Sequence, residues 1–195
     1  MNRELEFFFD VGSPASYLAW TQAPALCRRT GAALRYRPML LGGVFKATGN
    51  ASPAAVPAKG RYSGLDMQRF ARRYGVTLTM NPHFPVNTLM AMRLATAAVD
   101  TEQCDTVLAA LFEGLWLQEK DLSDIEVLGR TLAEAGLDPE HWAARAQDQA
   151  VKDRLKATTE EAVERGVFGA PTFFVGEEMF FGQDRLDFVE EALQP

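Results

Sequence analysis

Hydrophobic and polar positions change their period along this 195-residue chain, and the changes mark out its elements. Leu5 to Val11 is a short apolar-aromatic run containing Phe7, Phe8 and Phe9. Continuous apolar character over so few residues predicts a strand buried on both faces. Gly12-Ser13-Pro14 ends it. Pro14 suits the first turn of a helix, where its missing N–H costs nothing, and Ser13 stands where an N-cap is needed. The spacing of Tyr17, Leu18, Ala25 and Leu26 predicts a helix to about Arg29, with Pro24 as a kink point and Gly31 as the stop. Leu34 to Leu41 reads as a second strand. Leu41 to Gly60 has no period and reads as a long loop. The period is then helical. Leu65, Phe70 and Tyr74 fit one helix ending at Gly75, and Leu89, Met92, Ala95, Ala97 and Val99 fit another. Val107, Leu108, Leu111, Phe112, Leu115 and Trp116 form an amphipathic stripe. Ser123 with Glu126 has the spacing of a capping box, Asp138-Pro139 opens a further helix, and 151–165 is charged and helical. Past Gly166 the pattern resets. Val167 to Val175 is strand-like but broken at Gly169-Ala170-Pro171. A turn at Gly176-Glu177-Glu178 leads to the short strand Met179-Phe180-Phe181. Gly182 breaks that strand, and Leu186, Val189, Glu190 and Leu193 lie on a closing helix.

Strand–helix–strand at one end implies a parallel pair, and strand–strand–helix closes the other. That order predicts an α/β protein with a thioredoxin-like fold and a large all-helical insertion between the βαβ and ββα halves. Residues 1–43 and 150–195 are assigned to the thioredoxin-like domain and 44–149 to the insertion. Lys plus Arg number 20 against 26 Asp plus Glu, a net charge of −6. This balance argues against the basic face that nucleic-acid binding needs. No apolar run reaches the roughly 18 residues of a membrane span. Met1 to Glu6 lacks a basic stretch followed by an apolar one, so no signal peptide is expected and the chain reads as cytoplasmic. Cys27 and Cys104 form no CxxC pair and read as inert thiols in a reducing compartment. With His83 and His141 they make no zinc-type spacing, so no metal is expected.

Two short segments carry candidate chemistry. A helix opening at Gly12-Ser13-Pro14-Ala15 offers unpaired N–H groups and a partial positive charge, which stabilise an anion or a thiolate. Thioredoxins place their reactive cysteine at this position; this chain has Ser13. A serine there can cap the helix, the commonest use of the residue, or donate a hydrogen bond to a thiolate held by a cofactor. The second segment is Ala170-Pro171-Thr172. In thioredoxin-like folds the residue before a cis-proline offers its backbone to a peptide-like ligand, and a proline at a strand start is the plain alternative.

With these motifs in view, the chain resembles the 2-hydroxychromene-2-carboxylate isomerases, glutathione-dependent relatives of the kappa-class glutathione transferases in the DsbA-like thioredoxin superfamily. The resemblance rests on FFFDVGSPASYLAW (Phe7 to Trp20), Gly49-Asn50, PAKGRY (Pro57 to Tyr62), NPHFPVNT (Asn81 to Thr88) and GVFGAPTFFV…MFFGQDRL (Gly166 to Leu186). It departs at Ala15, where the family has an aromatic residue. The resemblance implies glutathione as cofactor and Ser13 as the catalytic residue facing its sulfur. It implies Asn50 and Lys59 near the glutathione carboxylates, Ala170 before a cis-Pro171 pairing with the cysteinyl part, and Gln183 with Asp184 holding the γ-glutamyl end. Lys59 suits a carboxylate and Asp184 an ammonium group. Gln183 and Asp184 are also expected to open the last helix. Without the family, Asp184 reads as a helix cap and Lys59 as a solvated charge. Trp20, Phe84 and Asn87 are candidates for the wall of an aromatic-substrate pocket, with a rigid interhelical turn as the alternative for the segment holding Phe84 and Asn87. Arg93 reads as a surface residue or a partner for a substrate carboxylate. The implied activity is glutathione-dependent cis–trans isomerisation of an aromatic-catabolism intermediate, a small aromatic molecule, by a homodimer. The rivals are a kappa-class transferase or peroxidase and a non-catalytic thioredoxin-like binding module. A dithiol oxidoreductase lacks its second cysteine here.

Overall fold

The computed structural model describes residues 3–194. Met1 and Asn2, part of the stretch read above for a leader signal, lie outside the described residues, as does Pro195. Strand β1 (Glu4–Phe9) leads through a tight turn into α1 (Pro14–Thr30) and back to β2 (Ala33–Pro38). Seven helices follow: α2 (Leu41–Thr48), α3 (Pro57–Tyr74), α4 (Leu89–Ala98), α5 (Cys104–Trp116), α6 (Ile125–Glu134), α7 (Pro139–Gln147) and α8 (Gln149–Glu164). The hairpin β3 (Thr172–Val175) and β4 (Glu178–Phe181), a 3-10 turn (Gln183–Arg185) and α9 (Leu186–Ala192) close the chain. The sheet order is β2-β1-β3-β4. The β1–β2 pair is parallel, from Glu4 opposite Ala33 to Phe9 opposite Pro38, and β3 runs antiparallel to both β1 and β4. This is the thioredoxin-like arrangement, with the helix-rich insertion between β2 and β3.

The apolar run of β1 is buried on both faces because helices cover both sides of the sheet. Leu5, Phe7 and Phe9 point into the larger core, shared with α1, α4 and α5, and Phe7 stacks on Phe173 with ring centroids 4.9 Å apart. Phe8 points the other way, into a smaller core of Met39, Val44, Ala162, Val167 and Phe174. Beside it Glu6 is paired by both Arg37 and Arg165, and the Arg165 guanidinium lies 3.7 Å from the Phe174 ring centre.

Three expectations require correction. The segment 41–60 is not a long loop: it holds α2, a 3-10 turn (Pro53–Ala55) and the first residues of α3. Two glycines follow directly on Leu41 and hide the helical period, and the caps of α2 come from elsewhere in the chain. The Thr159 hydroxyl accepts the Leu40 N–H at 2.9 Å, and an Asp10 carboxylate oxygen accepts the Leu41 N–H at 2.9 Å. The cap of α6 is Asp124, whose carboxylate accepts from Glu126 N–H at 2.8 Å, and not Ser123, whose hydroxyl donates to Asp121. Gln183 and Asp184 sit in the 3-10 turn ahead of α9 and do not open the α-helix itself. α1 runs without a break through Pro24 to its stop at Gly31, whose φ of 68° suits glycine.

Candidate active site at the turn after the first strand

β1 stops at Phe9 because the next residue is a carboxylate that turns back on its own chain. The Asp10 carbonyl accepts the Ser13 N–H at 3.0 Å, and an Asp10 carboxylate oxygen accepts the Gly12 N–H at 2.9 Å. Asp10 is 2% exposed. Burial pushes its pKa up, opposed by the amides of Leu41 and Gly12 and by the Thr88 side chain. Gly12 leaves no room for a side chain: a Cβ there would lie 2.7 Å from Thr88 Cγ2. The Thr88 end of the 81–88 segment is thus seated directly on the turn.

Ser13 does cap α1. Its backbone is extended (φ −95°, ψ 118°) and its Oγ accepts the Ser16 N–H at 3.1 Å. Its hydroxyl also donates to the Ala170 carbonyl at 3.2 Å, across 157 positions of sequence. The two candidate segments therefore meet. The Ala170–Pro171 peptide is cis. The Pro171 carbonyl accepts the Gly182 N–H at 3.0 Å, which carries the contact on to the turn holding Gln183 and Asp184. Gly169 is forced by contact: a Cβ there would lie 2.8 Å from the Phe181 ring.

The remaining sequence-derived residues fall around this centre at different distances. Asn50, just past α2, donates from Nδ2 to the Phe168 carbonyl at 2.7 Å and so ties its loop to the segment before Pro171. Gln183 is buried, and its carbonyl accepts the Tyr74 hydroxyl at 2.5 Å. The Asp184 carboxylate pairs with Arg185. Lys59 is exposed in the first turn of α3 and has no acidic partner among the described residues. It is fifteen residues from Tyr74, about 22 Å along the helix. Trp20 is not beside Ser13: it lies seven residues along α1 and stacks on Phe112, 5.1 Å away at 24°. Phe84 lies 6.0 Å from Trp116, whose indole N–H donates to the Val11 carbonyl at 2.8 Å, next to the turn. Asn87 Oδ1 accepts the Leu89 N–H at 3.1 Å and opens α4. Arg93 is half-buried on α4 and lines a cavity of about 620 Å³ between α2, α4 and α8.

The sequence reading missed Asp10, Thr88 and Tyr74. Asp10 has a visible signal, a carboxylate directly after the three phenylalanines that end β1. Thr88 and Tyr74 have none, because their partners are remote in sequence. Both cysteines are unsuited to nucleophilic work. Burial pushes the Cys27 thiol up to about 11, and burial with Asp105 and Asp100 pushes Cys104 up to about 12.

The family model of the DSBA-like thioredoxin domain matches residues 4–194. A 2-hydroxychromene-2-carboxylate isomerase of Sphingobium xenophagum is 33% identical over 99% of each chain. The chain belongs to this DsbA-like enzyme family. A glutathione S-transferase kappa 1 of Rattus norvegicus is 30% identical, covering 98% of this chain and 91% of the other. A solved 2-hydroxychromene-2-carboxylate isomerase structure superposes with a TM-score of 0.86 at 30% identity, covering 97% of this chain and 94% of that one. A related isomerase or glutathione-transferase function follows at that level of description. Among the described residues no helix is long and apolar enough to cross a membrane.

Proposed function

We propose that the protein is a glutathione-dependent isomerase that turns a carbon–carbon double bond in an unsaturated side chain of a small aromatic acid. The observation that carries the reading is the Ser13 hydroxyl on the Ala170 carbonyl beside cis-Pro171. A hydroxyl stands where a thioredoxin has its thiol, so the nucleophile has to be brought in by a cofactor. Glutathione fits the donor set. The Ala170 N–H has no partner among the described residues and with its carbonyl offers strand-like pairing to a cysteinyl unit. Asp184 would take the ammonium group, with Gln183 beside it, and Asn50 and Lys59 would face carboxylates. Bound glutathione would supply a thiolate able to add reversibly to a conjugated double bond, which leaves a single bond free to rotate.

The chain's own part is to bind, orient and hold charge. Ser13 has one hydroxyl proton, now given to Ala170; swung to a sulfur it stabilises the thiolate, aided by the α1 N-terminus. Phe84, with the loop that Asn87 closes, would wall the aromatic side. The same site serves a kappa-type transferase, and the 30% identity to such an enzyme favours that second reading. Absorbance assays with and without glutathione separate the two. Isomerisation of 2-hydroxychromene-2-carboxylate only when glutathione is present supports the proposal. Turnover of an aryl halide with no isomerisation selects the transferase. No heat of binding at millimolar glutathione removes both.

A further inference from the structure

The buried carboxylate of Asp10 has no role in the chemistry above, yet it touches three of the segments that build the site. One oxygen accepts the Gly12 N–H at 2.9 Å, in the turn that presents Ser13. The other accepts the Leu41 N–H at 2.9 Å, at the start of the helix that leads to Asn50. Thr88, the last residue of the loop holding Phe84 and Asn87, lies against both Gly12 and the carboxyl. These segments are far apart in sequence, and among the described residues Asp10 has no cationic partner. An acid buried without a countercharge is costly, and the backbone donors on its two oxygens offset part of that cost.

We propose that Asp10 is a positioning residue that fixes the Ser13 turn against the Asn50 helix and the Thr88 loop, and so aims the serine hydroxyl and the α1 N-terminus at the cofactor thiol. This rests on the glutathione reading above.

The sign of one shift separates positioning from charge. Removing a nearby negative charge by itself makes a bound thiol easier to ionise, so its pKa falls. Loosening the serine turn removes a donor from the thiolate, so the pKa rises. The experiment titrates the 240 nm thiolate absorbance of glutathione bound to the wild type, Asp10→Asn and Gly12→Ala, with affinity from calorimetry and folding from urea titration. Gly12→Ala keeps the carboxylate and displaces the turn, because its Cβ would meet Thr88 Cγ2 at 2.7 Å. The expected result is a rise of about one pKa unit in both variants. Affinity is expected to fall less than about tenfold, since the Asp184 end does not depend on Asp10. A fall or no change in Asp10→Asn overturns the proposal. If Asp10→Asn does not fold, Asp10→Glu, which keeps the charge and shifts the hydrogen-bonded oxygens, is read in its place: a rise supports the proposal, and a fall or no change overturns it. A wild type that binds no glutathione defeats the functional reading itself, and is seen before any variant is measured.

Discussion

Ser13 is at once a helix cap and a donor to the Ala170 carbonyl, and the two uses are separable by measurement. Removing the cap by Ser13→Ala is expected to cost about 1 kcal/mol of stability. Removing the donor is expected to slow glutathione-dependent turnover, because a hydrogen bond to a charged group contributes roughly 1.5–3 kcal/mol, or about ten- to a hundredfold. Part of the loss returns at higher pH, where hydroxide ionises the thiol without help. A pH–rate profile of the variant beside the wild type checks this; an unshifted profile leaves capping as the residue's only role. The cysteines give a second test. With thiol pKa values raised to about 11 and 12, Cys27 and Cys104 stay protonated at pH 8. Native protein is expected to resist iodoacetamide at that pH and to react once unfolded in urea, as counted by mass spectrometry. The native state then keeps protons that the unfolded chain, with thiols near 9, gives up. Stability is therefore unaffected by these groups below pH 9 and falls as pH rises above it, which urea midpoints at pH 8 and 10 report.

Helix ends decide how these residues are presented, and their caps come from two sources. α6 and α7 take theirs locally: Asp124 accepts from Glu126 and Val127, and Asp138 from Glu140 and His141. Asp124→Ala is expected to cost about 1 kcal/mol, whereas Ser123→Ala should change stability by less than about 0.5 kcal/mol, since its hydroxyl caps nothing. α2 depends on Asp10 and Thr159, which no local window contains. α3 is tied at its far end by the Tyr74 hydroxyl on the Gln183 carbonyl. Tyr74→Phe keeps the ring and removes that tie. It should cost about 1 kcal/mol in urea unfolding and weaken glutathione binding measured by calorimetry, because the Gln183-Asp184 turn loses its support from α3.

The molecule is held around one mixed sheet with unequal cores on its two faces. Phe112 of α5 joins the helical insertion to the sheet: its ring lies 5.7 Å from Phe9 and 5.1 Å from Trp20. Phe112→Ala is expected to cost about 3–5 kcal/mol, the range for a fully buried aromatic. The loss should appear as one cooperative transition by far-UV circular dichroism and tryptophan fluorescence, because Trp20 reports the same contact. Two transitions would show that the insertion unfolds apart from the sheet.

Much of this was legible in the residues themselves. The run Phe7-Phe8-Phe9, the Ser13-Pro14 start, the Gly31 and Gly75 stops and the Asp138-Pro139 opening follow from steric and hydrogen-bonding rules that act within a few positions. Element order then implied the parallel β1–β2 pair, and with it the meeting of Ser13 and Ala170. What local rules could not reach was every feature whose partner comes from another part of the chain. Asp10, Leu41 and Thr88 converge only after β1, α2 and α4 have packed, so α2 read as a loop and Asp10 as an unremarked acid. Trp20, a candidate pocket wall by sequence, stacks on Phe112, because a large apolar ring goes where it removes most surface from water, and that place is set by the packed helices.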